Sequence, residues 1–232
     1  MSIDFTKVIE LSYLGKKISE LSYNGKIIWK STSDLFATYF NHFKGNFKIQ
    51  TDFTAQIEAG DVLEIWLKCP FDATSGSLRP QIVGTNFTYT SKGAIFLEKS
   101  GTDCCIKVYW LDNDRSINWV VHSLDGAWEK EYHHYKVDYG NKKIYCDGVE
   151  VTGTITTGSN GSQNRFGFGK VSTLTNAQAW DFRQCKITSS DGTLKKWYVP
   201  IVENGKAGIV DIMSGTKTIT TYTTMSGDIF EQ

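Results

Sequence analysis

Carboxylates that alternate along a strand are the residues of this sequence best suited to acid–base chemistry. On an extended strand Glu129, Glu131 and His133 would point to one face, because alternate residues share a face. Retaining glycoside hydrolysis needs two carboxyl groups about 5 Å apart, so a second strand would have to supply a partner acid. The Glu-x-Asp-x-x-Glu arrangement of a glucanase is absent from the sequence. We therefore expect Glu129 and Glu131 to be surface groups without a catalytic role.

Clusters of metal-ligating residues are sparse in this chain. Asp112, Asn113 and Asp114 supply three neighbouring oxygen-bearing side chains. Calcium needs six to eight oxygens, so we interpret the run as a turn. His133 and His134 would diverge as neighbours on a strand. The cysteines show no paired metal spacing, so we expect no metal, no cofactor and free thiols. They are Cys69, Cys104, Cys105, Cys146 and Cys185.

Exposed tryptophans can stack on sugar rings, and the sequence contains seven tryptophans. Trp66, Trp110 and Trp119 lie in apolar runs and are interpreted as core residues, the usual role of a large aromatic in a sandwich. Two others lie beside predicted turns, where a ring can be exposed. The loop 157–165 is rich in hydrogen-bonding groups. The candidate ligand-binding residues are Trp128, Trp180, Asn160, Gln163 and Arg165.

Many short antiparallel strands would have to position these residues. Aromatic and β-branched residues recur in short runs that Gly, Asn or Asp interrupt, and no segment has a sustained helical period. Asp147-Gly148, Asp191-Gly192 and Asn204-Gly205 each separate two such runs. Because these pairs tolerate the positive φ angles of a type I′ turn, we predict a hairpin at each. Strands of two packed sheets are predicted at Asp61–Lys68, Ile106–Leu111, Ser116–His122 and Ile144–Asp147.

The N-terminal segment contains an internal repeat. Glu10–Ile18 recurs ten residues later as Glu20–Ile28, with the shared motif Leu-Ser-Tyr-x-Gly-Lys. Residues 1–30 are therefore predicted to form a small β-meander, which the polar run Ser31–Asp34 links to a domain at 35–232. A meander of this size is marginal by itself and exposes strand edges, which favours a docking or oligomerising role. Its contact surface would consist of Leu11, Tyr13, Ile18, Leu21, Tyr23, Ile28 and Trp29.

Two parts of the chain resemble known families. His134–Tyr139 followed by Lys143–Val151 looks like the hairpin of laminin G-like and pentraxin-type domains, where a strand ends in a Tyr-x-Asp-Gly turn. Phe182–Ile187, Leu194–Pro200 and Gly208–Ile212 resemble the closing strands of jelly-roll domains in bacteriophage and prophage virion proteins. The tandem N-terminal motif is similar to a module of such proteins. The resemblance implies an all-β fold, a concanavalin A-like (laminin G-like) jelly-roll sandwich preceded by the small β-meander.

Charge and hydropathy limit the possible functions. Lys plus Arg and Asp plus Glu number 25 each among 232 residues. The chain therefore lacks the basic field that binding to nucleic acid or to an anionic membrane would need. No apolar run reaches the length of a membrane span, so we expect no membrane insertion. No signal peptide is visible, so we expect synthesis in a reducing cytoplasm.

These features, together with the resemblance, favour a non-enzymatic bacteriophage virion protein made in the bacterial host cytoplasm. It would be a fibre, tail-associated or capsid-surface component whose outward-facing jelly roll binds host-surface glycans. Its partners would be other virion proteins and copies of itself, as in a homo-oligomer such as a trimer. One alternative is a secreted or surface-displayed carbohydrate-binding (lectin-like) module. The other is a laminarinase-like glycoside hydrolase.

Deletion of residues 1–30 tests the docking role of the repeat. If the repeat contacts another subunit or a virion protein, the truncated chain should keep nearly the same melting temperature and lose self-association or incorporation into particles. Standard interfaces bury about 800 Å² per partner, much of which a meander can offer. Calorimetry and size-exclusion chromatography with light scattering measure the two properties. A truncated chain that still assembles, or that melts far earlier, would contradict the docking role.

Overall fold

The structure of the protein is a computed structural model. It describes residues 11–13, 16–18, 20–23, 26–30, 39–40, 48–50, 57–68, 81–84, 91–163, 166–169, 181–203, 206–215, 217–219 and 230–231.

The chain is all-β, as the residue pattern predicts. In chain order the first strands are β1 Leu11–Tyr13, β2 Lys16–Ile18, β3 Glu20–Tyr23, β4 Lys26–Lys30, β5 Tyr39–Phe40, β6 Lys48–Gln50, β7 Val62–Lys68, β8 Gln81–Gly84, β9 Ile95–Ser100, β10 Asp103–Val108 and β11 Asp114–Ser116. They continue as β12 Trp119–Ser123, β13 Tyr132–Asp138, β14 Lys143–Cys146, β15 Val149–Val151, β16 Ile155–Thr157, β17 Gly167–Gly169, β18 Asp181–Thr188, β19 Leu194–Glu203, β20 Lys206–Asp211, β21 Lys217–Ile219 and β22 Phe230–Glu231. A short 3-10 turn at Trp128–Lys130 precedes β13.

Two large antiparallel sheets form the main body. The six-stranded sheet has the order β12-β10-β9-β8-β17-β6. The ten-stranded sheet follows the path β15-β14-β13-β7-β18-β19-β20-β21, with β5 pairing both β18 and β22. In this sheet β7 lies between β13 and β18, so strands distant in sequence are neighbours in space. The two sheets make an antiparallel β-sandwich.

The core lies between the two sheets, and on β7 and β13 of the ten-stranded sheet it follows from strict alternation of buried and partly exposed residues. Leu63, Ile65 and Leu67 of β7 are each at most 1% exposed, whereas the residues between them are partly exposed. They share one hydrophobic cluster with Ile95 and Ile106 of the six-stranded sheet. Burial of each such side chain contributes about 1.5–3 kcal/mol. The predicted all-β sandwich is therefore confirmed.

The predicted strands match the observed ones with two differences. Those predicted at Asp61–Lys68 and Ile144–Asp147 agree with β7 and β14 to within a residue at each end. The strand predicted at Ile106–Leu111 is β10, which lies three residues earlier along the chain. The strand predicted at Ser116–His122 was wrong, since β11 ends and β12 begins inside it. Asn118 between them has a positive φ of 53°, which an extended strand does not adopt.

The hairpin predicted at Asp147-Gly148 has the expected turn. Its two residues have φ angles of 49° and 82°, and Cys146 pairs with Val149 across it. Positive φ at both positions is what a type I′ turn requires. β19 and β20 likewise pair at Glu203 and Lys206, while Asn204 and Gly205 themselves lie outside the described residues.

The hairpin at Asp191-Gly192 has a longer turn than predicted. The Ser189 N–H donates to Thr193 O, and the Gly192 N–H donates to Ser189 O, both at 2.9 Å. The Asp191 carboxylate accepts hydrogen bonds from the Ser189 hydroxyl and from the Thr193 N–H. These bonds lower the pKa of Asp191 to about 2. The local carboxylate thus selects a five-residue loop over a two-residue type I′ turn.

The two copies of the N-terminal repeat each form a two-stranded pair. β1 pairs with β2, and β3 pairs with β4, in two distinct two-stranded sheets. Tyr13 pairs with Lys16, and Tyr23 pairs with Lys26, so each copy pairs with itself. The linker at Ser31–Asp34 lies outside the described residues. The contact role of the repeat and the division at residues 1–30 and 35–232 stay predictions.

Within the described part of the chain, no helix has the length and apolar character needed to cross a membrane.

Replacing Gly148 by alanine should lower the free energy of unfolding by about 1–2 kcal/mol, because a side chain makes positive φ costly. No described atom lies within 4 Å of the position that the new Cβ would take. The loss of stability would therefore come from the backbone conformation and not from a steric clash. Urea denaturation followed by tryptophan fluorescence measures it. The control Val149→Ala, at a neighbour that is 70% exposed, should change the free energy by less than about 0.5 kcal/mol. Equal effects would contradict the type I′ turn.

Candidate functional site

The outer face of the ten-stranded sheet carries the candidate site. Because Leu63, Ile65 and Leu67 of β7 point into the core, the residues between them point outwards. β13 alternates in the same way, and so do the described side chains of β18. Outward residues of these three neighbouring strands form what we call the outer-face site. They are Glu64, Trp66, His134, Lys136 and Lys186.

Stacked rings and an ammonium group occupy the centre of the outer-face site. Trp66 and His134 are paired across β7 and β13, and their rings stack with centroids 4.1 Å apart and planes 8° apart. The Lys186 Nζ lies 5.6 Å from the Trp66 ring centroid and 4.4 Å from that of Trp197. Such cation–π contacts hold the ammonium group over the rings. The Trp197 indole N–H donates to Gln184 Oε1 at 2.9 Å, which orients that ring.

Glu64 is the acidic centre of the outer-face site. Lys136 and Lys186 are its partners in register on the two neighbouring strands, and its Oε1 lies 3.0 Å from His134 Nε2. The contact with the His134 ring lowers the pKa of Glu64 most strongly. Burial opposes this effect, and the charges of His134, Lys136 and Lys186 add to the lowering. The carboxylate is therefore held in its ionised form.

The outer-face site continues into a groove with a volume of about 350 Å³. Glu64 and Lys136 belong to its lining, and turns at the ends of β7, β13 and β18 supply its walls. The other polar side chains of this polar groove are Asp138, Asn141, Thr188, Ser189 and Ser190. Asn141 donates from its backbone and side-chain nitrogens to the two Asp138 carboxylate oxygens, each at 2.9 Å. The groove thus presents acceptors and donors close together.

Two glycines let the turns around the polar groove approach each other. Gly60 has a φ of +94°, and a Cβ there would lie 3.0 Å from Ser190 Cβ. A Cβ on Gly140 would lie 3.0 Å from the Gly60 Cα. Any side chain would push these turns apart, so glycine is needed at both positions.

Trp66 was predicted to be a core residue, and the structure corrects this. It is partly exposed on the outer face, whereas Trp110 and Trp119 are buried as predicted, at 0% and 5% exposure. The alternation of Leu63, Ile65 and Leu67 with Glu64 already placed Trp66 on the face of the glutamate. The alternation in the sequence therefore indicates an outward Trp66, whereas the hydrophobicity of the indole favoured a core position.

Three of the five residues predicted to bind a ligand are described, and their contacts lie outside the outer-face site. Trp128 is partly buried between His122 and His133, with ring centroids 5.1 and 4.0 Å away. Asn160 Nδ2 donates to three backbone carbonyls around residues 110–114. Gln163 makes two hydrogen bonds to the backbone of Ile57. Trp180 and Arg165 lie outside the described residues. The ligand-binding role of these five residues stays a prediction.

Glu129 was predicted to be a surface group, and the structure corrects this. Glu129 lies in the 3-10 turn and is only 7% exposed. Its Oε2 accepts a hydrogen bond of 2.8 Å from the Gly126 N–H. Glu131 is exposed, as predicted. A helical turn begins at Trp128, so the alternation assumed for Glu129, Glu131 and His133 does not apply. The three residues therefore do not form one strand face.

The run Asp112–Asp114 forms a turn closed by a lysine. The Lys142 Nζ donates to Asp112 Oδ2 at 2.5 Å and to Asp114 Oδ2 at 2.7 Å. Burial would raise the pKa of Asp112, but its bonds to Lys142 and to the Asp114 backbone lower it overall. An ammonium group thus occupies the position between the carboxylates where a calcium ion would have to bind.

Comparisons with known proteins assign no family to this chain. No protein-family model and no curated protein sequence matches the chain. The botulinum neurotoxin serotype D binding domain is 11% identical, with a TM-score of 0.39 over 91% of this chain and 68% of that chain. The GlcNAcα1-4Gal releasing endo-β-galactosidase from Clostridium perfringens is 10% identical, with a TM-score of 0.31 over 74% and 60%. Likenesses this distant carry no functional argument. The fold is a two-sheet antiparallel β-sandwich.

The lowered pKa of Glu64 predicts a pH-dependent contribution to stability. Since folding favours the ionised form, this contribution is fully present above the ordinary pKa of 4.5 and is lost as the pH falls through the folded pKa. Glu64→Gln should therefore be less stable than the wild type at pH 7, and the difference should shrink below about pH 4.5. Urea denaturation across pH 3–7, about the range of this titration, measures it. Glu131→Gln, at an exposed position, is the control. A difference for Glu64→Gln that grows towards low pH would contradict the assignment.

Proposed function

We propose that the chain is a non-catalytic binding protein whose polar groove and outer-face site hold a hydroxyl-rich ligand, namely a host-surface glycan. The observation that carries the proposal is the polar groove beside the Glu64 cluster. It combines carboxylate acceptors with ammonium, amide and hydroxyl groups within about 350 Å³. Sites of about 300–1,000 Å³ are typical of small-molecule ligands.

The charge balance of the polar groove favours a neutral sugar over an ionic ligand. Glu64 and Asp138 are acidic, and Lys136 in the same lining is basic. A carboxylate accepts hydrogen bonds from neighbouring sugar hydroxyls, while an ammonium group donates to hydroxyl oxygens. Neighbouring charges of both signs therefore suit a ligand whose hydroxyl groups both donate and accept.

The same contacts favour binding over hydrolysis. A general acid in a glycosidase needs a carboxyl group whose pKa is raised so that it carries a proton. Glu64 has a lowered pKa because of His134 and the neighbouring lysines. Glu64 is therefore not set up to donate a proton to a leaving group.

The proposed setting is a bacteriophage virion assembled in the host cytoplasm. The tandem Leu-Ser-Tyr-x-Gly-Lys motif and the closing-strand motifs, which resemble those of virion proteins, support it. Residues 1–30 would attach the sandwich to other virion proteins or to further copies of this chain. The sandwich would then present the polar groove to the host surface. A lectin-like module would use the same groove, and incorporation into particles distinguishes the two settings.

A glycan array followed by isothermal titration calorimetry tests the proposed function. The full chain should bind at least one hydroxyl-rich glycan. Lys136→Met should weaken that binding by at least about tenfold, because it removes a charged donor and keeps the length of the side chain. Glu64→Gln should weaken it similarly, through loss of an ionised acceptor.

Lys143→Met is the matched control for this experiment. Lys143 lies on the adjacent strand β14 and forms an exposed ion pair with Glu150, 3.0 Å away. It is not part of the groove lining. Its replacement should leave the affinity unchanged. Absence of glycan binding by the wild type, or equal binding by the Lys136→Met variant, would overturn the proposal.

A further inference from the structure

The β13–β14 hairpin gathers three side chains with different ligand atoms at one point. His133 lies near the start of β13, and Cys146 and Asp147 lie at the end of β14 and in the following turn. The Asp147 N–H donates to the His134 carbonyl at 2.8 Å, which holds the turn against β13. An imidazole nitrogen, a thiol sulfur and a carboxylate oxygen then lie within 4.8 Å of one another.

The hydrogen-bond partners of the His133 ring point to a cation at this place. Its Nε2 lies 2.7 Å from the Trp128 carbonyl oxygen, which can only accept. Its Nδ1 lies 2.7 Å from Asp147 Oδ2, a carboxylate oxygen that also accepts. A neutral imidazole carries one N–H, and donation from Nε2 leaves a lone pair on Nδ1 facing the carboxylate. A proton or a metal ion must therefore lie between Nδ1 and Oδ2.

We propose that His133 Nδ1, Cys146 Sγ and an Asp147 carboxylate oxygen form a zinc-binding site. Thiolate, imidazole and carboxylate are the ligands that Zn²⁺ takes in proteins, whereas calcium and magnesium take oxygen ligands. A water molecule would complete the tetrahedron on the side of Asp147, whose side chain is 50% exposed. This inference is independent of the polar groove and of its proposed glycan.

The distances from Asp147 Oδ2 to the other two ligand atoms require only small shifts to fit this geometry. The Cys146 Sγ lies 3.9 Å from Asp147 Oδ2. A tetrahedral ion with bonds of about 2.1 Å to nitrogen and oxygen and 2.3 Å to sulfur needs roughly 3.4 Å between N and O and 3.6 Å between S and O. The N–O pair would have to open by about 0.7 Å and the S–O pair would close by about 0.3 Å. The exposed carboxylate has room for such a shift.

Outer contacts already hold the ligands in orientations that suit a metal. Zinc-bound histidines usually donate their second ring N–H to a carbonyl or carboxylate, as His133 does to the Trp128 carbonyl. The Asp147 Oδ1 accepts a hydrogen bond of 2.8 Å from the His134 N–H, which leaves Oδ2 as the ligand atom. The His133 ring also stacks on Trp128 at a centroid distance of 4.0 Å. The ion would thus tie the 3-10 turn Trp128–Lys130 to the β13–β14 hairpin.

Titration of the reduced full-length chain with Co²⁺ and Zn²⁺ tests the site. Co²⁺ takes the tetrahedral geometry of Zn²⁺ and gives a thiolate-to-metal charge-transfer band. The wild type should show this band with one equivalent of Co²⁺, and one equivalent of Zn²⁺ should displace it. Zn²⁺ should also raise the melting temperature, because it binds only the folded site.

Three variants assign the ligands. Cys146→Ala should lose the charge-transfer band and the shift in melting temperature. Asp147→Asn should fold, since asparagine tolerates the φ of 49° at this position, and should bind Zn²⁺ at least about tenfold more weakly. Cys105→Ala is the control, because Cys105 is a buried cysteine on β10 outside the cluster. It should keep the band.

Two results would overturn the zinc site. The first is a wild-type chain that gives no charge-transfer band and no shift in melting temperature at millimolar metal. In that case a proton holds the His133–Asp147 pair. The second is a band that persists in both the Cys146→Ala and the Asp147→Asn variants, which would place the metal at other ligands.

Discussion

The burial of alternate side chains between two antiparallel sheets is the constraint on which the structure depends. On β7, the inward residues Leu63 and Ile65 are at most 1% exposed. A slip of one residue in register would turn these side chains to the outside and Glu64 to the core. Burying an unpaired carboxylate costs several kcal/mol. The apolar face therefore fixes the register of β7 against both β13 and β18, and with it the position of every outward side chain.

The outer-face site is a direct consequence of that register. Glu64 comes from β7, Lys136 from β13 and Lys186 from β18, and Glu64 lies directly opposite each of the two lysines. The two ammonium groups and the His134 ring stabilise the Glu64 carboxylate, which lowers its pKa. The same arrangement leaves polar groups at the strand ends for a ligand.

Strand alternation also separates two neighbouring histidines into two environments. His134 points outward and stacks on Trp66, whereas His133 is 7% exposed and stacks on Trp128. One dipeptide thus contributes to the outer-face site and to the His133–Cys146–Asp147 cluster. The two histidine side chains diverge, as expected for neighbours on a strand. The partners of His133 come instead from the end of the next strand and the turn after it, because the turn at residues 139–142 folds β14 back onto β13.

The sequence by itself determined the all-β class, the turn at Asp147-Gly148 and the burial of Trp110 and Trp119, because these depend on neighbouring residues and on period-two alternation. Only the tertiary structure decided the break at Asn118 and the buried position of Glu129. The polar groove could not be predicted, since Gly60, Lys136 and Ser189 are far apart in the chain and meet through the pairing of β7 with β13 and β18. Local patterns specify which face a side chain takes. Long-range strand pairing alone specifies which other side chains it meets.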